Sequence, residues 1–234
     1  KIITSKTFDN ATSCSSENSV VIVDQVYDDA ITALESAGGI LLNPEETQNL
    51  QNTLWIQGRL NQDLIAKSAQ ELAEAIGLQC PDINQLKMLM VEETGTGREY
   101  PFSGEKLCPV LTVYRASNFN EACEQVREIY NFQGKGHSVG LHSQDESRPL
   151  IMGLTLPACR VIVNQTHCFA TGGSFDNGLP FSLSMGCGTW GGNSISDNLN
   201  YRHYLNIVRI VRPIPPVEPS DEDIFGEFWA KHGR

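Results

Sequence analysis

Short apolar runs alternate with amphipathic segments along most of the chain, and this alternation is the strongest constraint on its fold. Runs of strand length lie at 19–24, 40–42, 86–91, 109–114, 137–143 and 159–164. Helical patterns lie between them at 25–38, from 43 onward, at 62–76, at 118–131 and at 150–156. Strands that alternate with helices favour a parallel sheet covered by helices on its faces. The sequence therefore predicts an α/β fold with three layers, α/β/α.

The composition of the sequence changes towards the C-terminus. Glycines become frequent after Thr171, and strand-like sequence resumes at 201–211. A proline-rich segment at 213–216 then leads into an acidic stretch and a short amphipathic helical pattern. We expect one domain over 1–211 and a C-terminal tail over 212–234. The apolar residues of that tail are suited to covering a subunit interface, which implies a homo-oligomer.

The composition excludes several classes of protein. The 17 lysines and arginines are outnumbered by 28 aspartates and glutamates, which gives a formal net charge of −11. Such a chain lacks the basic footprint of a nucleic-acid-binding protein. No apolar run reaches the roughly 18–20 residues that cross a bilayer, and no signal peptide is visible. We therefore expect neither nucleic acid nor a membrane as a partner. Because Lys1 stands where a methionine would begin a whole protein, we expect the chain to be a fragment.

The cysteines indicate a reducing compartment. There are seven, an odd number, and no two form a CxxC pair. This pattern is typical of free cytoplasmic thiols rather than of a disulfide framework. The ligand spacing of a zinc site is also absent, so we expect no metal.

Cys14 is the first candidate functional residue. It lies among small hydroxyl residues, just before the apolar run at 19–24. A cysteine in that place can face a cleft, where small neighbours leave room for a substrate. The functional interpretation is a catalytic nucleophile, and the structural alternative is a small buried apolar residue.

Three further features carry chemistry in one interpretation and packing in another. The glycine-rich stretch at 185–194 either holds a phosphate through backbone N–H groups or forms a tight loop that packs Trp190 against a core. Glu105 precedes a buried strand, as a solvated strand start or as a partner for a ligand hydroxyl. His137 and His142 lie five residues apart on an alternating strand, so they point to opposite faces and share no metal.

Four segments taken together resemble the coenzyme-A-acylating aldehyde dehydrogenases. They are SKTFDN at 5–10 with Cys14 and SENSV at 16–20, EKLCPV at 105–110, GHS at 136–138, and GCGTWGGNSIS at 186–196. In order, these segments cover the chain from Lys1 to about 211. Within the family, YRHYLN at 201–206 is most similar to the branch that acts on acidic aldehydes, sulfoacetaldehyde or succinate semialdehyde.

The resemblance implies a role for four residues. Cys14 is the thiolate that attacks the aldehyde carbonyl, and its own backbone N–H is one donor to the oxyanion. Loss of hydride to NAD or NADP leaves a thioester on Cys14, and coenzyme A, the co-substrate, takes the acyl group. His137 assists deprotonation of the incoming thiol. Glu105 holds the ribose hydroxyls of the nicotinamide nucleotide, and Met185 contacts that cofactor.

The sequence departs from the family pattern in two ways. Ser13 and Ser15 flank the cysteine where family members often have an apolar residue and an alanine. The family's N-terminal cofactor-binding half, which holds an oxyanion-hole Asn and the Glu that hydrolytic relatives use, is absent. Hydrolysis to a free acid therefore stays open beside acyl transfer, and so does a non-catalytic assembly role for the isolated chain. Arg160 and Arg202 are candidates to neutralise an acidic substrate.

Overall fold

The computed structural model describes every residue from Lys1 to Arg234. The chain divides into two compact units, Lys1–Asn200 and Tyr201–Arg234. The strands of the first unit are β1 (Ser19–Val23), β2 (Gly39–Leu41), β3 (Trp55–Ile56), β4 (Arg59–Leu60), β5 (Met88–Glu92), β6 (Val110–Ala116), β7 (Val139–Leu141) and β8 (Val161–Val163). Its helices are α1 (Ile2–Lys6), α2 (Tyr27–Ser36), α3 (Pro44–Leu54), α4 (Ala69–Ala75), α5 (Phe119–Phe132), α6 (Arg148–Thr155) and α7 (His167–Thr171).

Four parallel strands form the central sheet, in the order β1-β6-β5-β2. The register places Val20 beside Val113 and Val91 beside Thr112. A second parallel pair joins β7 to β8, and β3 and β4 form a short antiparallel hairpin. Parallel strands require crossover connections, and the helices between them supply these.

The central sheet is buried on both faces. Successive residues of β5 alternate between two apolar clusters, since Met88 and Met90 belong to one and Leu89 and Val91 to the other. The first cluster includes Leu34 of α2; the second is completed by residues of α3 and α4. Helices therefore cover both faces, and the predicted three-layer α/β/α fold is confirmed.

The predicted helix start at Asn43 is confirmed in detail. The Asn43 side chain accepts hydrogen bonds from the backbone N–H groups of Glu45 and Glu46, and the Glu46 carboxylate accepts one from the Asn43 N–H. This reciprocal capping box satisfies N–H groups that the first turn leaves without partners. Asn118 caps α5 through its side chain in a similar way.

The predicted helix at 62–76 is wrong in its first half. Ala66 has a left-handed backbone with φ of 62°, which no α-helix accommodates. The helix starts again after Ser68, whose side chain and that of Glu71 form a second capping box. The spacing of Ser68 and Glu71 was the better signal for the start of this helix, because the apolar periodicity continued across the break at Ala66.

The second unit contains one 3-10 turn at Tyr201–Tyr204 and the helix α8 (Asp221–His232). The strand expected at 201–211 is wrong, since no ladder forms there. The short helix expected near the C-terminus is confirmed, and Ser220 caps its start. The domain boundary at 211 stays a prediction. No helix of the protein is both long and apolar enough to cross a membrane.

The two-sided core gives a stability prediction. Leu72 of α4 is fully buried, whereas Leu154 of α6 is 78% exposed. We expect Leu72→Ala to lower the free energy of unfolding by about 2–5 kcal/mol, because it leaves a cavity in the core. The matched variant Leu154→Ala should change it by no more than about 0.5 kcal/mol. Urea unfolding of both variants measures the difference, and equal losses would contradict the assignment of the core.

Candidate active site

A strained turn presents Cys14 at the surface. Asp9, Asn10 and Ala11 all have left-handed backbones, with φ of 49°, 48° and 63°. Three such non-glycine residues in succession are unfavourable, and strain of this kind concentrates at functional sites. The turn is held by the Asn10 side chain, which donates to the Ala66 carbonyl at 2.9 Å. Cys14 follows it as an exposed free thiol.

His137 lies directly against this thiol. Its Nε2 is 3.4 Å from Cys14 Sγ, although 123 residues separate the two in sequence. The other ring nitrogen, Nδ1, lies 2.7 Å from the Ser138 hydroxyl. A thiol next to an oriented imidazole is the arrangement of an activated nucleophile and its base. The structure thus brings together the two residues predicted to be catalytic.

The resting pair is neutral rather than ionic. Partial burial by the surrounding loops raises the pKa of the Cys14 thiol, with a further contribution from the charge of Glu105, while the backbone N–H of Cys14 acts in the opposite direction. Burial and the nearby Arg160 guanidinium lower the pKa of His137. Both shifts disfavour the charged forms, so a thiol faces a neutral imidazole at neutral pH.

Four segments of the site have the same position relative to the strands. Cys14 precedes β1, Glu105 precedes β6, His137 precedes β7, and Arg160 precedes β8. Because β1 and β6 are parallel neighbours, their preceding loops meet at one edge of the sheet. The same holds for the paired strands β7 and β8. The candidate site is therefore assembled at the amino ends of strands.

The glycine-rich loop packs on the backbone in front of His137. A Cβ atom at Gly136 would lie 2.2 Å from the Cys187 carbonyl oxygen, and one at Gly191 would lie 2.4 Å from Cys187 Cβ. Gly186 approaches the Ile195 carbonyl just as closely. These positions accept no side chain without movement of the backbone. Gly136 thus lets the loop pack closely against the segment that carries His137, and Gly186 and Gly191 let the loop fold closely on itself.

The loop's backbone N–H groups are already engaged, which bears on both interpretations of its sequence. Internal acceptors take hydrogen bonds from the backbone N–H groups of Gly186, Cys187, Gly188, Gly191, Gly192 and Asn193. The phosphate-cradle interpretation therefore loses most of its donors. The tight-loop interpretation is confirmed, but its detail is wrong, because Trp190 is 58% exposed instead of packed against a core.

Arg160 joins the loop to the His137 segment. It is buried, and it donates to the Asn198 side chain, to the carbonyls of His137 and Gly186, and to the Ser196 carbonyl. Its guanidinium is thus committed to internal acceptors. The prediction that Arg160 neutralises an acidic substrate is wrong. The alternative, Arg202, lies in the second unit, where it stacks on Tyr201.

The two predicted cofactor residues occupy different places. Glu105 is partly buried on a loop that the buried Lys106 amino group holds by donating to the Phe102 and Gly104 carbonyls. Its carboxylate has no hydrogen bond or ion pair within the chain, and it lies close enough to Cys14 to affect the thiol's pKa. Met185 begins the glycine-rich loop, pairs with Asn198 and lines a shallow surface depression.

Sequence reasoning missed the residues behind His137. Ser138 Oγ also lies 2.8 Å from Nε2 of His167, a buried residue at the start of α7. A single histidine after an apolar strand gives no local signal for such a contact. No group of three His, Cys, Asp or Glu side chains is arranged to hold a metal ion.

The sequence and fold of this chain are similar to those of known proteins. No protein-family model matches the chain. The sulfoacetaldehyde dehydrogenase (acylating) of Cupriavidus necator is 55% identical over 234 residues, which are 100% of this chain and 48% of that protein. The succinate-semialdehyde dehydrogenase (acetylating) of Clostridium kluyveri is 37% identical over 96% of this chain and 49% of its own length.

A solved structure agrees with these relatives. The acetylating aldehyde dehydrogenase of Geobacillus thermoglucosidasius superposes with a TM-score of 0.84 at 36% identity, over 92% of this chain and 48% of that one. The chain belongs to the acylating aldehyde dehydrogenases. It spans about half the length of the curated relatives it matches, and its three-layer fold is that of their catalytic domain.

The close approach at Gly136 gives a prediction for this acylating aldehyde dehydrogenase chain. We expect Gly136→Ala to lower the melting temperature and to expose the loop at 186–196 to proteolysis, because the new Cβ would overlap the Cys187 carbonyl. Gly134→Ala is the control, since Gly134 also has a positive φ but its Cβ would meet only the Tyr130 ring at 3.6 Å. Both variants carry the left-handed penalty of about 1–2 kcal/mol. Equal melting temperatures and equal cleavage would contradict the proposed role of Gly136.

Proposed function

We propose that the enzyme to which this chain belongs oxidises a small acidic aldehyde to its acyl-coenzyme A, with NAD or NADP as oxidant and a thioester on Cys14 as intermediate. The observation that carries the proposal is the 3.4 Å contact between the Cys14 sulfur and His137 Nε2. The relatives' names, which include "acylating" and "acetylating", support the reaction class.

The neutral pair defines how the nucleophile is activated. His137 accepts the thiol proton at Nε2 as the Cys14 sulfur attacks the aldehyde carbonyl, and a carbon–sulfur bond forms. His137 returns that proton to the carbonyl oxygen, which gives a hemithioacetal. Loss of hydride to the nicotinamide nucleotide and of the hydroxyl proton to solvent leaves a thioester on Cys14 and a neutral His137. The thiol of coenzyme A next attacks the thioester and displaces the Cys14 sulfur. His137 takes the proton of the incoming thiol and gives it to the departing Cys14 sulfur, so one imidazole serves both half-reactions.

Glu105 fits the role of holding a nicotinamide nucleotide. Its carboxylate is partly exposed, has no partner within the chain and stands near the reacting thiol. A carboxylate with free acceptor oxygens suits a pair of ribose hydroxyls. When bound, the nicotinamide ring supplies the hydride acceptor. Met185 contributes an apolar side chain from the glycine-rich loop to the same cofactor.

The substrate is proposed from the names of the relatives. Sulfoacetaldehyde and succinate semialdehyde both carry an anionic group beside the aldehyde. Because the Arg160 guanidinium is engaged internally, we propose that another basic group of the enzyme binds that anion. We further propose that the enzyme acts in the cytoplasm as a homo-oligomer.

The raised pKa of Cys14 gives a pH prediction. A raised pKa leaves less thiolate at pH 7 than an ordinary thiol has, so the thiolate fraction grows as pH rises. We expect the rate of Cys14 alkylation by iodoacetamide to climb about tenfold per pH unit through the neutral range and to level off only above about pH 9. Peptide mass spectrometry follows the reaction. A plateau below pH 7 would show a thiolate–imidazolium pair and would overturn the neutral mechanism.

The central test asks for acyl transfer in the full-length enzyme. Cys14→Ser should abolish formation of acyl-coenzyme A from sulfoacetaldehyde, coenzyme A and NAD or NADP. The control is Cys80→Ala, which removes a partly buried thiol in another loop and should retain the activity. Mass spectrometry of the products reports the outcome. Free acid formed at the same rate without coenzyme A would favour a hydrolytic dehydrogenase. No product with any aldehyde would favour an assembly role.

A further inference from the structure

A line of hydrogen-bonding groups continues behind His137, away from Cys14. The Ser138 hydroxyl lies between two imidazoles, 2.7 Å from His137 Nδ1 and 2.8 Å from His167 Nε2. With the 3.4 Å contact to Cys14, four side chains form one continuous path. The path ends at His167, which is 6% exposed.

The serine hydroxyl restricts the tautomers of both rings. It has one proton, so it donates to one imidazole and accepts from the other. If Ser138 donates to His167 Nε2, then both histidines carry their proton on Nδ1. If the hydroxyl points the other way, both carry it on Nε2. The two neutral rings must therefore share the same tautomer.

We propose that His167, acting through Ser138, sets the tautomer of His137 and thereby decides whether the nitrogen facing Cys14 is a base or a donor. His167 is a positioning residue, because it touches neither Cys14 nor the reacting atoms. The proposal rests on the proposed function, in which His137 Nε2 accepts a thiol proton. In that state both rings carry their proton on Nδ1, and no net charge is buried.

The surroundings of His167 suit this role. Burial, with the neighbouring His137 and His142, lowers the pKa of His167 to about 4, so the ring is neutral at pH 7. Its Nδ1 is buried without a hydrogen-bond partner, so a proton there has no acceptor within the chain, and the Ser138 hydroxyl is the group that hydrogen-bonds to the ring and couples its tautomer to that of His137. A Cβ on Gly140 would lie 2.8 Å from Nδ1, so the glycine makes room for the ring.

The adjacent residues hold the two ends of the path together. Cys168, next to His167, donates its backbone N–H to the Ser5 hydroxyl at 2.8 Å. The Ser15 hydroxyl, next to Cys14, lies 3.9 Å from Cys168 Sγ. The segment of the nucleophile and the start of α7 are thus in direct contact.

Two matched pairs of variants separate hydrogen bonding from packing. Gln at position 167 can place an amide group where His167 has Nε2, whereas Asn reaches only the position of Nδ1, so His167→Gln is the conservative partner of His167→Asn. Ser138→Thr keeps the hydroxyl that Ser138→Ala removes. His142→Gln is the control histidine variant, since His142 makes no hydrogen bond to this path.

The test reads the tautomer of His137 directly. ¹⁵N NMR of the full-length, histidine-labelled enzyme at neutral pH distinguishes Nδ1-protonated from Nε2-protonated rings. We expect His137 and His167 to share one tautomer, and we expect His137 to become a mixture in Ser138→Ala and His167→Asn but not in Ser138→Thr or His142→Gln. Opposite tautomers in the native enzyme, or an unchanged His137 in both disrupting variants, would overturn the proposal.

Kinetics provide the functional readout. We expect Ser138→Ala and His167→Asn to lower kcat about tenfold with little change in the KM for the aldehyde, the fold-change that one hydrogen bond typically contributes. His167→Gln should recover much of that loss. The NMR measurement needs neither aldehyde nor coenzyme A, so a shared tautomer in an enzyme without acyl-transfer activity would contradict the proposed function alone.

Discussion

Burial of the central sheet on both faces is the constraint on which the rest of the structure depends. Met88, Leu89, Met90 and Val91 are all fully buried, so every side chain of this part of β5 packs against a helix layer. A strand in that position cannot slip by one residue without exchanging its two faces. The observed register pairs Val20 with Val113 and Val91 with Thr112, and it fixes the positions at which the chain enters these strands.

The positions at which the chain enters the strands determine where the residues of the candidate site lie. Cys14 and Glu105 stand at the amino ends of two neighbouring parallel strands, and His137 and Arg160 precede the strands of the second pair. Ligands of open α/β sheets commonly bind at the carboxyl ends instead. Here the loops at the amino ends carry the chemistry, and tertiary contacts rather than strand geometry alone orient them. Arg160 and the glycine-rich loop provide those contacts around His137.

Local sequence signals predicted elements well where capping and periodicity agreed. Asn43 with Glu46 and Asn118 with its helix are examples, since each asparagine caps the helix that it was predicted to start. The sequence signals failed where capping and periodicity disagreed, as at Ala66. The left-handed backbone of Ala66 does not change the spacing of the apolar residues, so periodicity alone did not show the break. The strand expected at 201–211 failed for another reason. Apolar content alone does not supply a neighbouring strand to pair with.

The site was predictable only in part. The pairing of Cys14 with His137 came from resemblance to a family, because no local pattern connects residues 123 positions apart. The role predicted for Arg160 was wrong for a physical reason. The sequence alone does not distinguish a buried guanidinium that donates to backbone carbonyls from one that binds a substrate anion. Nothing in the sequence indicated the roles of Ser138 and His167, because these residues meet the His137 ring only in the folded chain.

In the proposed mechanism the base acts twice, and a neutral thiol–imidazole pair suits that requirement. A permanent thiolate–imidazolium pair would hold the same number of protons, but it would present a charged nucleophile before any aldehyde is bound. Keeping both groups uncharged defers proton transfer until a carbonyl is in place. In the proposed mechanism His137 then takes a thiol proton and gives it up again in each half-reaction, so the imidazole begins each attack in its neutral form. The partial burial that raises the pKa of Cys14 and lowers that of His137 is thus consistent with two successive thiol attacks at one site.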